Sequence, residues 1–308
     1  MLVFVSLCVN SSIDSGRSYQ SSSGLLSVYK CVFTRFDVFL DSGGVIRVDM
    51  NGDLDISDCS FYNCSTGGYT CGAISFSGLR CNVSRVCGSK CSGGFHQFGN
   101  FHSNSHEIRI DSLSLNRCSD RGTGYNTFSI TRSRCIVTNT NSSSNFNDIV
   151  SGISMDQPIS IKVVLCCFSN CVSKSYITVY FAGGTSNNVT YSNIVNNTDM
   201  MASKGVVYVE TTGIGTLTEC VFFNNSNTLF CIGYGNMRVY NCIISHGSIL
   251  TYGTVSFHNN SHPFSSTYEI KLFSSFLCDA DLQDSSVFVT HSLSSPNNIF
   301  LTILIMFF

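Results

Sequence analysis

The stretch Asp58–Ile74, DCSFYNCSTGGYTCGAI, sets three cysteines, Cys59, Cys64 and Cys71, around an aromatic pair and a turn of small residues. It reads as a metal site, a disulfide knot or one rung of a repeat. The overlapping segment Ile56–Phe61, ISDCSF, decides among these because it recurs. VYKCVF (Val28–Phe33), VVLCCF (Val163–Phe168), VTYSNI (Val189–Ile194), LTECVF (Leu217–Phe222) and VYNCII (Val239–Ile244) all fit apolar-x-x-(Cys or Ser)-x-(Phe or Ile). The fourth positions are Cys31, Cys59, Cys166, Ser192, Cys220 and Cys242, and their separations include 28, 26, 28 and 22 residues. The gap of 107 between Cys59 and Cys166 suits four more units. Degenerate copies stand there at Cys81 (LRCNV) and Cys135 (RSRCIV), with a poor match over Ile108–Leu115.

A period of this length, built of strand-like pieces, indicates a solenoid. The Leu-x-x-Leu-x-Leu signature is absent and no unit carries a helical segment, which leaves a parallel β-helix. The abundance of Val, Ile, Phe, Tyr and Thr among Gly, Asn and Ser fits many short strands joined by turns. In GGVIRVDM, Gly43–Met50, alternation places Ile46, Val48 and Met50 on one side. The motif's first apolar residue and its cysteine differ in parity, so a bend falls between them and resets the inward face. Two residues beyond the motif stand Asn63, Asn170, Asn196 and Asn224, with His246 in the last copy. Asn tolerates the left-handed conformation of a sharp corner. Stacked in successive coils, such amides can hydrogen-bond along the axis. The expected fold is all-β: a single-stranded right-handed parallel β-helix of about nine or ten coils, spanning residues 17–290.

Of the 308 residues, 43% are apolar and only 12% charged, with 17 basic against 19 acidic side chains. A nucleic-acid binder would carry a basic stripe, and none is visible. The 17 cysteines are an odd number. Cys8 lies in the apolar start MLVFVSLCVNSS, within residues 1–16, which reads as a short signal peptide or as a first capping strand. Sequons at Asn10, Asn63, Asn82, Asn141, Asn188, Asn196, Asn224 and Asn259 tilt the reading toward the secretory route. The tail, residues 291–308, ends in an apolar run from Ile299. A membrane span needs about 20 such residues, so the tail reads as a truncated anchor or a capping strand.

The turns GGVI (Gly43–Ile46) and CGAI (Cys71–Ile74), with FFNN (Phe222–Asn225), resemble the Gly-Gly-Ala-Ile and Phe-x-x-Asn repeats of polymorphic-outer-membrane-protein-like β-helices. The Cys-rich surface proteins of anaerobic parasitic protists carry such repeats. FYNC and FSNC depart from the pattern by one residue, and the resemblance covers roughly Val28–Leu250. It implies a surface or secreted protein with an adhesin-like role, a host protein or glycan as partner, and often a C-terminal membrane anchor.

Chemistry is sparse. Cys59, Cys64, Cys71, Cys81, Cys87 and Cys91 could supply zinc thiolates, but the paired Cys-x-x-Cys pattern is missing. HSNSHE, His102–Glu107, offers no evident third ligand. Stacked coils instead favour buried thiols, with some disulfide pairs near turns at Cys64, Cys71, Cys87 and Cys91. The acidic run holds Asp49, Asp53, Asp55 and Asp58, with Asp53 and Asp55 expected outward and Leu54 and Ile56 inward. NTD, Asn197–Asp199, matches one polygalacturonase motif whose companions are absent. These residues therefore point to no catalytic, cofactor or metal set. A polysaccharide-active β-helix enzyme, of the pectin lyase or glycoside hydrolase kind, is the alternative function.

Overall fold

The computed structural model describes residues 12–13, 19–38, 43–66, 71–103, 106–119, 124–175, 177–184, 186–201, 204–210, 214–226, 228–245 and 247–261. Cys8, the Asn10 sequon, His246, the boundary at 290 and the apolar tail lie outside the described residues. Among the described residues every regular element is a strand, and the strands stack in parallel as a β-solenoid of the right-handed type. Each coil has three faces. On the first, Val48, Phe76, Phe101, Ile130 and Met155 occupy one inward column. On the second, Ile56, Val83, Ile110, Val137 and Val163 do the same.

The third face carries the repeat's aromatic position. Phe33, Phe61, Gly88, Leu115, Ser142, Phe168, Ile194, Phe222 and Ile244 share one register column. The six expected members, Phe33, Phe61, Phe168, Ile194, Phe222 and Ile244, are all buried. The Phe33 and Phe61 rings stack with centroids 4.8 Å apart. At Gly88 the column lacks a side chain and Phe98 takes the space. A Cβ on Gly88 would stand 2.4 Å from the Phe98 ring, which meets Phe61 edge-on at 5.8 Å. The Gly-Gly turns have a similar cause. A Cβ on Gly44 would lie 2.3 Å from the Ala73 carbonyl oxygen of the next coil.

Two bends per coil use the left-handed region. Between the second and third faces, Lys30, Asp58, Arg85, Ser112, Asn139, Leu165, Tyr191, Glu219, Asn241 and Asn259 have φ between 49° and 59°. The residue after each of the first nine turns inward: Cys31, Cys59, Val86, Leu113, Thr140, Cys166, Ser192, Cys220 and Cys242 are buried. This is the parity reset that the motif implies. Three rungs, at Val86, Leu113 and Thr140, fill the gap between Cys59 and Cys166. Cys81 and Cys135 are not among them. They sit earlier, on the second face, where Cys81 pairs with Leu54 and Ile108 and Cys135 with Ile108 and Ile161. An apolar-x-Cys pattern within a straight strand looks like the bend motif until the bend is located.

A second bend follows the third face, at Arg35, Asn63, Lys90, Arg117, Ser144, Asn170, Asn196 and Asn224. The expected Asn column thus has the expected left-handed backbone. Its side chains point away from the core, however: Asn63, Asn170 and Asn224 are exposed. Asn224 Nδ2 donates to Asn196 Oδ1 at 2.9 Å, an amide contact on the outside. The interior ladder lies one residue later, through Cys64, Cys91, Cys118, Asn145, Cys171, Asn197 and Asn225, all buried. Cys118 N–H donates to Asn145 Oδ1 at 2.8 Å, Cys171 N–H to Asn197 Oδ1 at 3.0 Å and Asn197 N–H to Asn225 Oδ1 at 3.0 Å. Met50 is a further correction. Its φ of 49° ends the alternation of Ile46 and Val48, and it is 78% exposed.

The ladder makes a contrast between neighbours. Replacing Asn197 by Ala leaves the buried Cys171 N–H without its acceptor, a cost of about 1–3 kcal/mol. Asn196→Gly keeps the left-handed corner and costs only a few tenths of that. Urea unfolding of the two variants, with the Asn197 variant the less stable, checks which residue faces the core.

Candidate functional site

The acidic run is engaged in local bonds. Asp49 pairs with Arg47 at 2.8 Å, and Asp53 Oδ1 accepts the Arg80 N–H at 3.0 Å. Asp55 Oδ1 accepts Asn82 Nδ2 at 3.0 Å. Asp58 takes two bonds of 2.6 Å from Arg85, whose guanidinium holds its carboxyl below the usual range. Leu54 and Ile56 are buried and Asp53 and Asp55 partly exposed, as the alternation requires. Asn197 belongs to the interior ladder, while Asp199 accepts the N–H groups of Met201 at 3.1 Å and Gly205 at 3.0 Å. His102 and His106 join no group of three potential ligands, and no such group exists among the described residues.

Cys64, Cys71 and Cys91 are buried thiols, so the expected disulfides at these positions are not formed. Cys87, by contrast, is disulfide-bonded. Burial pushes the thiols of Cys71, Cys166 and Cys171 up to about 12. Only thiolates react readily with alkylating agents. Iodoacetamide at pH 8 should therefore leave these three unmodified in the native protein and label them after denaturation, as read by peptide mass spectrometry.

The unspent chemistry gathers elsewhere, on the outer side of the first face. Register stacks Asn100, Ser129, Ser154, Tyr180 and Tyr208 in adjacent coils. The small residues form the floor of a groove of about 500 Å³. At one end stand Phe95 and Tyr125, stacked at 4.8 Å, beside His96. At the other stand Tyr180 and Tyr208, at 5.8 Å, with Asp156 and Glu210. Register shifts near Asn126 and Val150 mark bulges beside the groove. Such irregularities re-aim side chains along a strand.

The groove's electrostatics follow from its burial. Tyr180 donates its hydroxyl to Glu210, and burial together with that carboxylate raises the Tyr180 pKa. Burial first, then the charge of Glu210, raises Asp156, against the nearby Arg132. Burial lowers His96 to about 4, so its imidazole is neutral at pH 7. Two buried polar atoms lining the groove, His96 Nδ1 and Asn100 Oδ1, lack a hydrogen-bond partner. None of these residues stands in a local motif. They are outward first-face positions from successive coils, so the signal available in the sequence was alternation combined with the repeat period.

The raised Asp156 pKa has a definite sign. The folded state holds this proton more tightly than the unfolded chain, whose carboxyl titrates near 3.8. A stability penalty therefore grows as pH rises from that value through the folded pKa, and it is full at neutral pH. Asp156→Asn should raise the unfolding midpoint at pH 7 and lose that gain near pH 3, as thermal unfolding at the two pH values would show.

Compared with protein-family models, curated proteins and solved structures, the chain matches none of them.

Proposed function

We propose that this chain is a surface or secreted β-helix interaction protein with an adhesin-like, non-catalytic role, of the kind found among polymorphic-outer-membrane-protein-like surface proteins. The partner is a host protein or a glycan. The observation that carries the reading is the first-face groove, where aromatic walls and unpartnered polar atoms coincide on an outer sheet surface. Binding sites combine apolar surface with a few placed polar groups in this way. The near-neutral charge and the absence of a basic stripe in the sequence argue against a nucleic-acid partner. The sequons support a secretory route, and the apolar tail supports membrane anchoring. The cysteine count adds little, because a buried thiol is a normal core residue in any compartment.

A second reading, a polysaccharide-active enzyme, is favoured by one feature. Asp156 and Glu210 line the same groove, and glycoside hydrolases work with two carboxyl groups. The interaction reading stands first because Glu210 is held by Tyr180 and the acidic residues singled out in the sequence are engaged in corner and cross-coil bonds. Uronate polymers and neutral β-glucans incubated with the protein should release no product. Product that disappears in both Asp156→Asn and Glu210→Gln would reverse the order. In a binding screen against immobilised glycans and cell-surface proteins, Tyr180→Ala should weaken capture of any specific partner about tenfold. Capture unaffected by groove substitutions would move the interface to another face.

A further inference from the structure

The groove is lined by two carboxylates, Asp156 and Glu210, and by no lysine or arginine. Asn100 Oδ1 is an acceptor, buried and unpartnered. The carboxylates of Asp156 and Glu210 only accept when ionised. Ser129, Ser154 and Thr131 add hydroxyls that serve either way. The cations nearby are committed. Arg132 donates to Gln157 Oε1 at 3.4 Å. Lys204 lies 4.4 Å from the Tyr208 ring centroid and donates to that tyrosine's hydroxyl at 3.1 Å. Neither residue lines the groove.

Such a surface disfavours anions. A uronate, phosphate or sulfate would meet two carboxylates with no lining cation to hold it. It suits a ligand that brings hydrogen-bond donors, positive charge and an apolar body. The Tyr180–Tyr208 pair supplies aromatic faces beside Asp156 and Glu210, and aromatic faces attract ammonium groups. Lys204 on Tyr208 is an instance of that contact within the chain itself.

We propose that the first-face groove receives a lysine side chain of a partner polypeptide. Its methylene stem lies along Tyr180 and its ammonium group meets Asp156 and Glu210. This assignment rests on the groove being the interaction site, and it narrows the partner from protein or glycan to a protein that presents an accessible lysine. A lysine is chosen over arginine because Glu210 already accepts from Tyr180 and the two carboxylates belong to different coils, so a compact ammonium with freely turning donors suits them better than a rigid fork.

The test titrates the full chain with the capped peptide acetyl-Gly-Lys-Gly-amide, followed by calorimetry and by tyrosine fluorescence. Controls are the same peptide with acetylated lysine, spermidine, and a neutral chito-oligosaccharide. The lysine peptide should bind, and lysine acetylation should weaken it at least tenfold. Asp156→Asn and Glu210→Gln should each weaken it several-fold while far-ultraviolet circular dichroism stays that of the wild type. Raised salt should weaken it too. Binding that ignores acetylation and the Asp156 substitution overturns the proposal. Spermidine bound more tightly than the peptide overturns the polypeptide source. Binding of the saccharide but not the lysine peptide overturns the lysine assignment and leaves the groove as the interaction site. A groove that answers to none of the probes, together with partner capture indifferent to Tyr180→Ala, overturns both readings.

Discussion

The structure depends on one backbone constraint. At two bends per coil a left-handed residue is followed by an inward side chain, and where that side chain carries an acceptor it takes the backbone N–H of the coil before it. At the first bend, Cys166 N–H donates to Ser192 Oγ at 3.1 Å, Cys220 N–H to Cys242 Sγ at 3.4 Å and Cys242 N–H to Asn260 Oδ1 at 2.7 Å. A buried N–H without a partner is costly. Cys, Ser and Asn therefore interchange down this column because each is small and each offers an acceptor. This accounts for a Cys-rich repeat without invoking metal or disulfide. The cysteines double as small hydrophobes, and the same sulfur groups donate weakly to carbonyls, as from Cys220 to Val189 at 3.4 Å.

The bends also free the outer surface. With the backbone satisfied by stacking and by the interior ladder, outward first-face side chains need not stabilise the fold. From Asn100 to Tyr208 they line the groove over five rungs. The groove arises there because the floor residues Asn100, Ser129 and Ser154 are small, while the rungs beyond them carry Tyr180 and Tyr208. Its two carboxylates, Asp156 and Glu210, sit partly out of water.

Two departures from the repeat show how far tertiary packing can substitute for it. Gly88 and Ser142 replace the aromatic in the third-face column. At the first, Phe98 enters from the neighbouring face. At the second, Ser142 Oγ is satisfied by Asn145 Nδ2 at 2.9 Å. In the same region the corner acceptors give way to Val86 and Leu113, which fill the position by packing alone.

Much of the architecture was written in the sequence. The period placed Phe33, Phe61, Phe168, Ile194, Phe222 and Ile244 in one buried column, and the parity change at Cys59 located a bend, because alternation and corner chemistry are local properties. The direction of the Asn63, Asn170, Asn196 and Asn224 side chains was not legible, since a left-handed residue and its successor point to opposite sides and only the closed coil shows which side is core. The thiol state at Cys64, Cys71 and Cys91 was likewise hidden, because spacing permits a bond that stacking does not require. The groove was least legible of all. Asp156, Tyr180 and Glu210 are distant in the chain and share no motif. Only the tertiary structure decided that they meet, because the register between coils, together with the bulges near Asn126 and Val150, sets which outward residues become neighbours.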